Sequence, residues 1–342
     1  MIGGLDIESG VVDLSHGAGG KASAQLVEQI FRPAFANEYL NQMDDGALLP
    51  SPGERLVVST DSFVVSPIFF PGGDIGSLSI HGSVNDVAVM GAMPRYMTAG
   101  FILEEGLPLS TLKRIADSMA AAARVCGVAL VAADTKVVKH GEADQIFITT
   151  TCVGTVSDSV NVDAGQIRAG DQVLVSGTIG DHGATILTSR GDLGLDANLE
   201  SDSQSIHDLV QDMLASGAQL RFLRDPTRGG AATVLNEVAE QTGLGICIRE
   251  ADIPLTDGVR AVSELLGLDP LYLACEGRLV AICDPADAEQ LLQLMRAHAK
   301  GKNAAVIGEV SADARHPLVL QTAWGSKRIV PMLTGEQMPR IC

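Results

Sequence analysis

Acidic side chains that follow apolar segments are the first residues of this sequence that could do chemistry. Asp61 follows the run LVVST, Asp134 follows the run VALVAA, and Asp45 is the second residue of a DDG turn. Each of these residues by itself is typical of a turn or a helix cap. Asp86 is different, because it lies inside the apolar segment LSIHGSVNDVAVMG, where a carboxylate must be paired, hydrogen-bonded or bound to a metal. Several convergent carboxylates with few nearby cations predict an ion with oxygen ligands, such as Mg²⁺.

The glycine-rich segment SHGAGGKAS has some features of a phosphate-binding P-loop but does not meet the requirements of that motif. Ser15 stands where the first Gly is needed, and Ala22 replaces the Ser or Thr that should follow the lysine. What remains is a Gly-rich loop that carries Lys21 and that could close over phosphates. A plain surface loop is the alternative interpretation.

The segment RDPTRGGAATVLNEVAE indicates an anion site at the start of a helix. Asp225 and the proline after it form a turn, and Gly229-Gly230 opens an amphipathic helix whose first N–H groups are free to bind an anion. Arg228 adds a guanidinium fork that suits a phosphate group. The alternative is a capped helix start with a surface arginine.

The chain ends in a cysteine, Cys342, within the segment MPRIC. A prenylation motif would need the cysteine four residues from the end, so that modification is excluded. Arg340 favours the thiolate, whereas the adjacent α-carboxylate opposes it. The residues 331–342 could extend to roughly 40 Å at about 3.3 Å each, which is enough to enter a site on the same chain. An incidental cysteine is the alternative interpretation.

Composition limits the classes of function that the 342 residues can have. The formal net charge of −18 argues against nucleic-acid binding, because such a surface repels phosphate backbones. The six cysteines form no CxxC pair and have no zinc-ligand spacing. We expect no secretory signal in MIGGLDIESG and no membrane span in the apolar runs, so the sequence predicts a cytoplasmic enzyme.

Strands and helices that alternate in both halves predict an α+β or α/β architecture of two domains. In the first half, the pattern predicts strands over Arg55–Thr60, Met97–Leu103, Val128–Ala132 and Gln145–Val153, and helices over Ser23–Phe31, Gly76–Met90 and Ser110–Cys126. In the second half, it predicts strands over Gln172–Ser176, Gly245–Ile248, Leu279–Cys283 and Ala304–Val310, and helices over Asp181–Arg190, Ile206–Leu214, Gly230–Thr242, Asp257–Leu266 and Pro285–His298. The helix that carries Asp86 also carries Asn85 and, one turn earlier, His81.

A polar, turn-rich stretch at Asn161–Asp171 predicts the domain boundary. We therefore expect an N-terminal domain over residues 1–160, a C-terminal α/β domain over 161–330 and a mobile tail over 331–342. The tail sequence PMLTGEQMPRIC is too short and too mixed to pack by itself.

Eight short motifs in one order closely resemble those of the hydrogenase maturation factor HypE family. They are SHGAGGK, DDGA, STDSFVVSPIFFPGGDIG, HGSVNDVAVMGAMP, AADTKVV, DPTRGG, CEG and the terminal PRIC. That family belongs to the superfamily of aminoimidazole ribonucleotide synthetase, selenophosphate synthetase and thiamine-monophosphate kinase. The sequence departs from the superfamily at Ala132-Ala133, where Gly-Gly is common.

The resemblance implies a two-domain PurM-like fold and a homodimer, in which the N-terminal domains form the dimer barrel. It also implies that ATP is held between Asp-rich segments of an N-terminal domain and a C-terminal α/β domain. Residues that match the Mg²⁺-phosphate carboxylates are Asp45, Asp61, Asp86 and Asp225. Further residues that match the nucleotide site are Asp134 and Lys21. Lys136 and Glu276 match positions implicated in deprotonating the substrate. A phosphate counter-charge is the alternative for Lys136, and an ion pair with Arg278 is the alternative for Glu276.

The resemblance also implies a reaction and its partners. The family's terminal cysteine accepts a carbamoyl group from the carbamoyltransferase HypF, and ATP drives dehydration of that group to a thiocyanate. The cyano group then passes through the HypC–HypD complex to the iron of a [NiFe]-hydrogenase. Two other hypotheses stay open: an ATP-using enzyme of the superfamily that acts on a free small molecule, and a non-enzymatic carrier that only presents a thiol.

Overall fold

The computed structural model describes residues 20–26, 28–29, 47–49, 55–191, 198–335 and 340–342. Asp45 and most of the SHGAGGK segment therefore lie outside the described residues. The described strands, in chain order, are β1 (Ala47–Leu49), β2 (Arg55–Phe63), β3 (Phe69–Phe70), β4 (Gly73–Asp74), β5 (Met93–Glu104), β6 (Ala129–Val138), β7 (Ile146–Val156), β8 (Gln172–Val175), β9 (Leu220–Arg224), β10 (Gly245–Arg249), β11 (Val280–Cys283), β12 (Ala305–Ser311), β13 (Leu318–Gln321) and β14 (Lys327–Ile329). The described α-helices are α1 (Gly20–Leu26), α2 (Ile75–Val89), α3 (Leu109–Cys126), α4 (Asp181–Ser189), α5 (His207–Ala215), α6 (Gly230–Thr242), α7 (Asp257–Leu266) and α8 (Ala288–Ala297).

The first half of the chain forms a five-stranded sheet in the order β1-β2-β7-β5-β6. All neighbours in it are antiparallel except β5 and β6, which are parallel and are connected by α3. Buried and less buried residues alternate along β7, as expected for a sheet with one face on the core. This sheet and the helices packed on it form the first hydrophobic core.

Helix α2 lies at the centre of that core. Asp74 caps its first turn, because its carboxylate accepts hydrogen bonds from the backbone N–H groups of Gly76 at 2.8 Å and Ser77 at 3.0 Å. Gly76 allows α3 to approach closely, since a Cβ there would lie 2.4 Å from the carbonyl oxygen of Ile115. Residues on nearly all sides of α2 are buried, so this helix can carry side chains into the middle of the molecule.

The second half forms a seven-stranded sheet in the order β14-β13-β10-β12-β8-β11-β9. Helix α6 packs on this sheet, and its start depends on two glycines with positive φ, Gly229 at 79° and Gly230 at 60°. A Cβ at Gly230 would lie 2.4 Å from the carbonyl oxygen of Leu271, so glycine is required for that close approach. None of the described helices is long and apolar enough to cross a membrane.

Asn85 and His81 connect α2 to the second half of the chain. The Asn85 amide donates to the backbone oxygens of Gln204 at 3.0 Å and Glu276 at 3.3 Å, and its oxygen accepts from the N–H of Ile206 at 2.8 Å. His81 Nδ1 lies 3.1 Å from the Ser203 hydroxyl. These two residues therefore hold the halves together rather than joining Asp86 in a site.

Each of the predicted strands and helices overlaps an observed element, and the helices Gly230–Thr242 and Asp257–Leu266 have the predicted bounds. Of the predicted helix Ser23–Phe31, residues 27, 30 and 31 lie outside the described residues. The described strands β1, β3, β4, β13 and β14 were not predicted, and neither was β9. Its sequence LRFLR carries arginines that are tolerated because of distant partners: Arg224 is buried with Glu237 at 3.0 Å, and Arg221 pairs with Asp284 at 2.8 Å.

Candidate active site

A small pocket lies where β2, α2, the turn before α6 and the end of the chain meet. It has a volume of about 40 Å³. Its lining includes six of the residues predicted from sequence, which are Asp61, Asp86, Asp225, Arg228, Glu276 and Cys342. Ser62, Phe63, Gly82 and Thr227 complete the lining.

Hydrogen bonds from neighbouring hydroxyls orient two of the aspartates. Ser59 Oγ donates to Asp86 Oδ2 at 2.5 Å, and Ser83 Oγ donates to Asp61 Oδ2 at 3.4 Å. Gly82 makes the space for this arrangement, because a Cβ there would lie only 2.8 Å from the ring of Phe63. Asp86 is half-buried inside an apolar helix, and a hydroxyl donor and an opening to the pocket offset the cost of placing a carboxylate there.

Asp225 and Arg228 reach the pocket from the turn between β9 and α6. Asp225 is buried, whereas Arg228 is exposed. The pKa of Arg228 is raised, first by Cys342 and then, against the opposing effect of burial, by Asp61, Glu276 and Asp86. Arg228 is therefore a cation facing several acidic groups, as a phosphate-binding or charge-stabilising residue would be. Its exposed surface also fits the alternative interpretation of a surface arginine, so the phosphate-binding role of Arg228 stays a prediction that its place in the pocket lining supports.

Glu276 is a buried carboxylate with unused hydrogen-bonding capacity. It is 2% exposed, and among the described residues its Oε1 has no hydrogen-bond partner. Burial raises its pKa well above the ordinary range, and Asp225, Asp202 and Asp61 raise it further. Such a group holds a proton more tightly than an ordinary carboxylate does, which suits it to take up a proton from a bound substrate.

The predicted alternative for Glu276, an ion pair with Arg278, is wrong. The Arg278 guanidinium instead lies 3.6 Å from the Asp202 carboxylate and 3.7 Å from that of Asp181. Asp202 also accepts a hydrogen bond from the backbone N–H of Glu276 at 3.0 Å. Asp202 therefore fixes the backbone of Glu276, while the side chain of Glu276 lines the pocket.

Cys342 enters the pocket of its own chain. Its backbone oxygen accepts from the N–H of Val64 at 2.9 Å, and the preceding Ile341 is buried in the first core. Part of Cys342 stays accessible to solvent. The pKa of its thiol is nevertheless raised to about 12, mainly by burial; Arg228 lowers it, and Glu276 and Asp61 raise it. The thiol is thus protonated at neutral pH while the tail is docked.

Three predicted site residues do not line the pocket. Lys136 and Asp134 lie on β6 and form an ion pair at 2.7 Å, with side chains 70% and 71% exposed. Lys21 is exposed at the start of α1, and its backbone N–H donates to the carbonyl of Leu333 at 2.8 Å. Their predicted roles stay predictions.

The carboxylates of the pocket do not make a complete metal site by themselves. Within the part of the chain that the structure describes, no three acidic, His or Cys side chains are grouped closely enough to hold a metal ion. Mg²⁺ at phosphate-transfer sites takes one or two carboxylates and completes its shell with phosphates and water. Asp61, Asp86 and Asp225 line one pocket, and their carboxylates are the kind of ligand that such a shared site needs.

Sequence reasoning missed the residues that hold the end of the chain in place. His182 Nε2 lies 2.5 Å from the carbonyl oxygen of Ile341, and Asp144 lies 2.5 Å from the guanidinium of Arg340. His182 lies within a motif-free segment, DHGATILTS, and Asp144 lies in a polar turn. Neither position carries a local signal that could have identified it.

Two family models together match most of the chain. The model of the AIR synthase related protein, N-terminal domain, matches residues 43–156, and that of the C-terminal domain matches residues 168–321. The predicted domain boundary between residues 160 and 161 stays a prediction, and it lies between the two matched ranges.

Curated relatives are similar over the whole length. The chain is 54% identical over 338 residues to the carbamoyl dehydratase HypE of Azotobacter vinelandii, which covers 99% of both chains. It is 47% identical over 336 residues to the carbamoyl dehydratase HypE of Escherichia coli K12, covering 97% of this chain and 99% of that one.

Solved structures show the same similarity in three dimensions. A HypE–HypF complex matches with a TM-score of 0.86 at 44% identity, covering 90% of this chain and 99% of that one. A hydrogenase maturation protein HypE in complex with ATP matches with a TM-score of 0.81 at 44% identity, covering 97% of this chain and all of that one.

Proposed function

The chain belongs to the HypE family of carbamoyl dehydratases, within the AIR synthase related proteins, and we propose on that basis that it dehydrates a carbamoyl group carried on its own Cys342. The product is a thiocyanate that supplies the cyanide ligand for the iron of a [NiFe]-hydrogenase. One observation carries the proposal: the terminal cysteine lies in the pocket that also gathers three aspartates, an arginine and a buried glutamate.

ATP supplies the driving force for this reaction. The S-carbamoyl oxygen attacks the γ-phosphorus, the bond to the β-phosphate oxygen breaks, and ADP leaves. Two N–H protons are then lost as the C–O bond breaks, so phosphate leaves with the former carbamoyl oxygen and C≡N remains on sulfur. The HypE structure that contains ATP supports the choice of nucleotide for this chain.

The acidic and basic residues of the pocket have different roles toward the phosphates. Arg228 would bind a phosphoryl oxygen directly. Asp61, Asp86 and Asp225, with Asp45 as a fourth predicted member, would hold Mg²⁺ against the phosphates. That ion, when bound, offsets the charge of the triphosphate during transfer. Because the cavity beside Cys342 is about 40 Å³, only the reacting groups fit there and the rest of the nucleotide must lie outside it.

Glu276 is the group that we assign as the base for the N–H protons. Its unpartnered Oε1, its burial and its raised pKa suit it for proton transfer in the pocket of the thiol. Lys136 is less well placed, because its ammonium is exposed and paired with Asp134 in this chain.

The thiol must react with its carbamoyl donor elsewhere. A cysteine with a pKa of about 12 is a poor nucleophile, so we place acceptance of the carbamoyl group at a position of the tail outside the pocket. The HypE–HypF complex supports HypF as the donor for this chain, and HypC–HypD is the proposed acceptor of the cyano group.

A homodimer is also part of the proposal. Large apolar side chains are exposed on neighbouring strands β5 and β6, with Tyr96 56%, Val131 57% and Val137 68% exposed. A patch of this kind indicates a covered interface. Sedimentation of the chain would count against the dimer if only the monomer mass appeared at micromolar concentration.

Intact-mass measurement tests the reaction. The chain carbamoylated at Cys342 should lose the mass of one water when Mg-ATP is added, and the Cys342→Ala chain should show neither mass change. Asp86→Asn separates this enzyme from a simple thiol carrier, because a carrier would not need the aspartates. Dehydration at the full rate by Asp86→Asn, or by Cys342→Ala, would sink the proposal.

A further inference from the structure

We propose that His182, Arg190 and Asp144 form a docking latch that recognises the terminal segment Arg340–Cys342 and acts by positioning Cys342. The inference rests on the proposed function, since it concerns how the acceptor thiol reaches the reaction pocket. None of the three latch residues lines that pocket, so they would act through the tail and not on the reacting atoms.

The backbone of the terminal segment pairs with the chain just after β2. Val64 N–H donates to the oxygen of Cys342 at 2.9 Å, and Ser66 N–H donates to the oxygen of Arg340 at 3.2 Å. The two donors are two residues apart, and so are the two acceptors, which run in the opposite direction along the chain. This is the spacing of a short antiparallel pair of strands. This pairing places every second residue of the tail on the same side.

Arg340 supplies the part of the segment that the latch recognises by charge. Its guanidinium donates to Asp144 Oδ2 at 2.5 Å and to the carbonyl of Val64 at 2.9 Å. Arg190 in turn donates to the carbonyl of Arg340 at 3.0 Å and to that of Ser66 at 3.1 Å. The hydrogen bond from Arg340 holds the pKa of Asp144 below its ordinary value, which is the mark of a formed ion pair.

His182 recognises the next residue through its backbone. The ring is fully buried, and its Nδ1 lies 2.7 Å from the Ser201 hydroxyl, while its Nε2 lies 2.5 Å from the carbonyl oxygen of Ile341. The carbonyl can only accept, so Nε2 carries the proton and donates it. Departure of the tail would leave a buried donor without its partner, and the contact therefore favours the docked position.

The docked tail also carries backbone strain that the latch offsets. Arg340 has a φ of +53°, a left-handed conformation that is unfavourable for a residue with a side chain. Ile341 adds burial in the first core on the docked side. The position of Cys342 thus reflects a balance that the three latch residues can shift without touching the aspartates or Glu276.

Thiol modification of the full-length chain measures the equilibrium between the docked and the undocked position of Cys342. N-ethylmaleimide is added without nucleotide, and peptide mapping by mass spectrometry gives separate rates for Cys342 and for Cys247, a partly buried cysteine on β10. We expect Asp144→Asn to raise the rate at Cys342 about tenfold, as loss of a charge-assisted hydrogen bond predicts, and to leave Cys247 unchanged. Asp158→Asn, whose exposed carboxylate pairs with Arg55, is the matched control.

A second pair of variants tests the histidine. His182→Gln keeps a donor near the position of Nε2, whereas His182→Leu removes it, so only the leucine variant should raise the rate at Cys342. The inference is overturned if Asp144→Asn leaves the Cys342 rate unchanged, if both histidine variants behave alike, or if Cys247 and Cys342 rise together. Because the assay needs neither ATP nor a carbamoyl group, its outcome is independent of whether the wild-type chain dehydrates its tail.

Discussion

The pocket around Cys342 and the exposed pair on β6 contain the same kinds of residues in opposite surroundings. Glu276 is 2% exposed and its pKa is raised by burial and by neighbouring carboxylates. Lys136 and Asp134 lie 2.7 Å apart with about seven-tenths of each side chain in solvent. An exposed pair gains little energy and is screened by salt, whereas a buried acid with an unused oxygen can exchange protons and bind charge. The difference teaches that residue type identifies candidate catalytic groups, and that burial decides which candidates have the properties that catalysis needs.

The largest expected effect is at the buried glutamate. Glu276→Gln keeps the shape of the side chain but removes the base, so we expect dehydration to slow by about 10²–10⁴-fold. Single-turnover intact-mass kinetics with the carbamoylated chain would measure it, and Glu240→Gln on the exposed face of α6 is the control. A larger loss in Lys136→Met than in Glu276→Gln would reverse the comparison between the two regions.

The second effect is on stability against pH. Burial lowers the pKa of His182 to about 4 from 6.5, so the folded chain binds fewer protons than the unfolded chain between these values. Stability is therefore lost as the pH falls through this window, by up to about 3 kcal/mol for this residue. His182→Gln should reduce the loss measured by denaturant unfolding at pH 7 and pH 4.5. The pKa of His81 is also lowered to about 4, so this residue would cause part of the stability loss that remains in the variant.

The matched control for that experiment lies beside β6. The His140 side chain is 87% exposed next to Glu104, so His140→Gln removes a histidine without opening a buried site. If His182→Gln and His140→Gln changed the pH dependence of stability equally, burial of His182 would not be the cause of the loss at low pH.

The third effect is on nucleotide affinity. Asp86→Asn removes a carboxylate that faces the pocket and accepts from Ser59, and we expect Mg-ATP to bind about tenfold more weakly. Asp134→Asn on β6 should change the affinity much less. Calorimetric titration of both variants would contradict the assignment if Asp134→Asn caused the greater loss.

The smallest effect is on the exposed pair itself. Lys136→Met should change the free energy of unfolding by less than about 1 kcal/mol, because solvent screens an ion pair of this exposure. Urea unfolding of the variant would measure it. A substantially larger change would mean that β6 is covered in solution, as the proposed homodimer would make it.

The sequence by itself determined the local elements and the residue types of the site. Capping and glycine signals predicted helix α6, and the alternation of apolar residues predicted the long strands of the first sheet. These signals are local, since they depend on a few neighbouring residues and on the backbone freedom of glycine at positions such as Gly230. The order of the motifs was enough to indicate the family.

Only the tertiary structure decided which of these residues share a pocket. Asp61, Asp225 and Glu276 are far apart in the chain, and their convergence depends on how two sheets and helix α2 pack. The same packing leaves Lys136 in solvent and pairs Arg278 with Asp202 rather than with Glu276. It also places His182 in contact with the carbonyl of Ile341, next to the terminal cysteine. Burial and long-range contacts set these outcomes, and neither is a property of a short stretch of sequence.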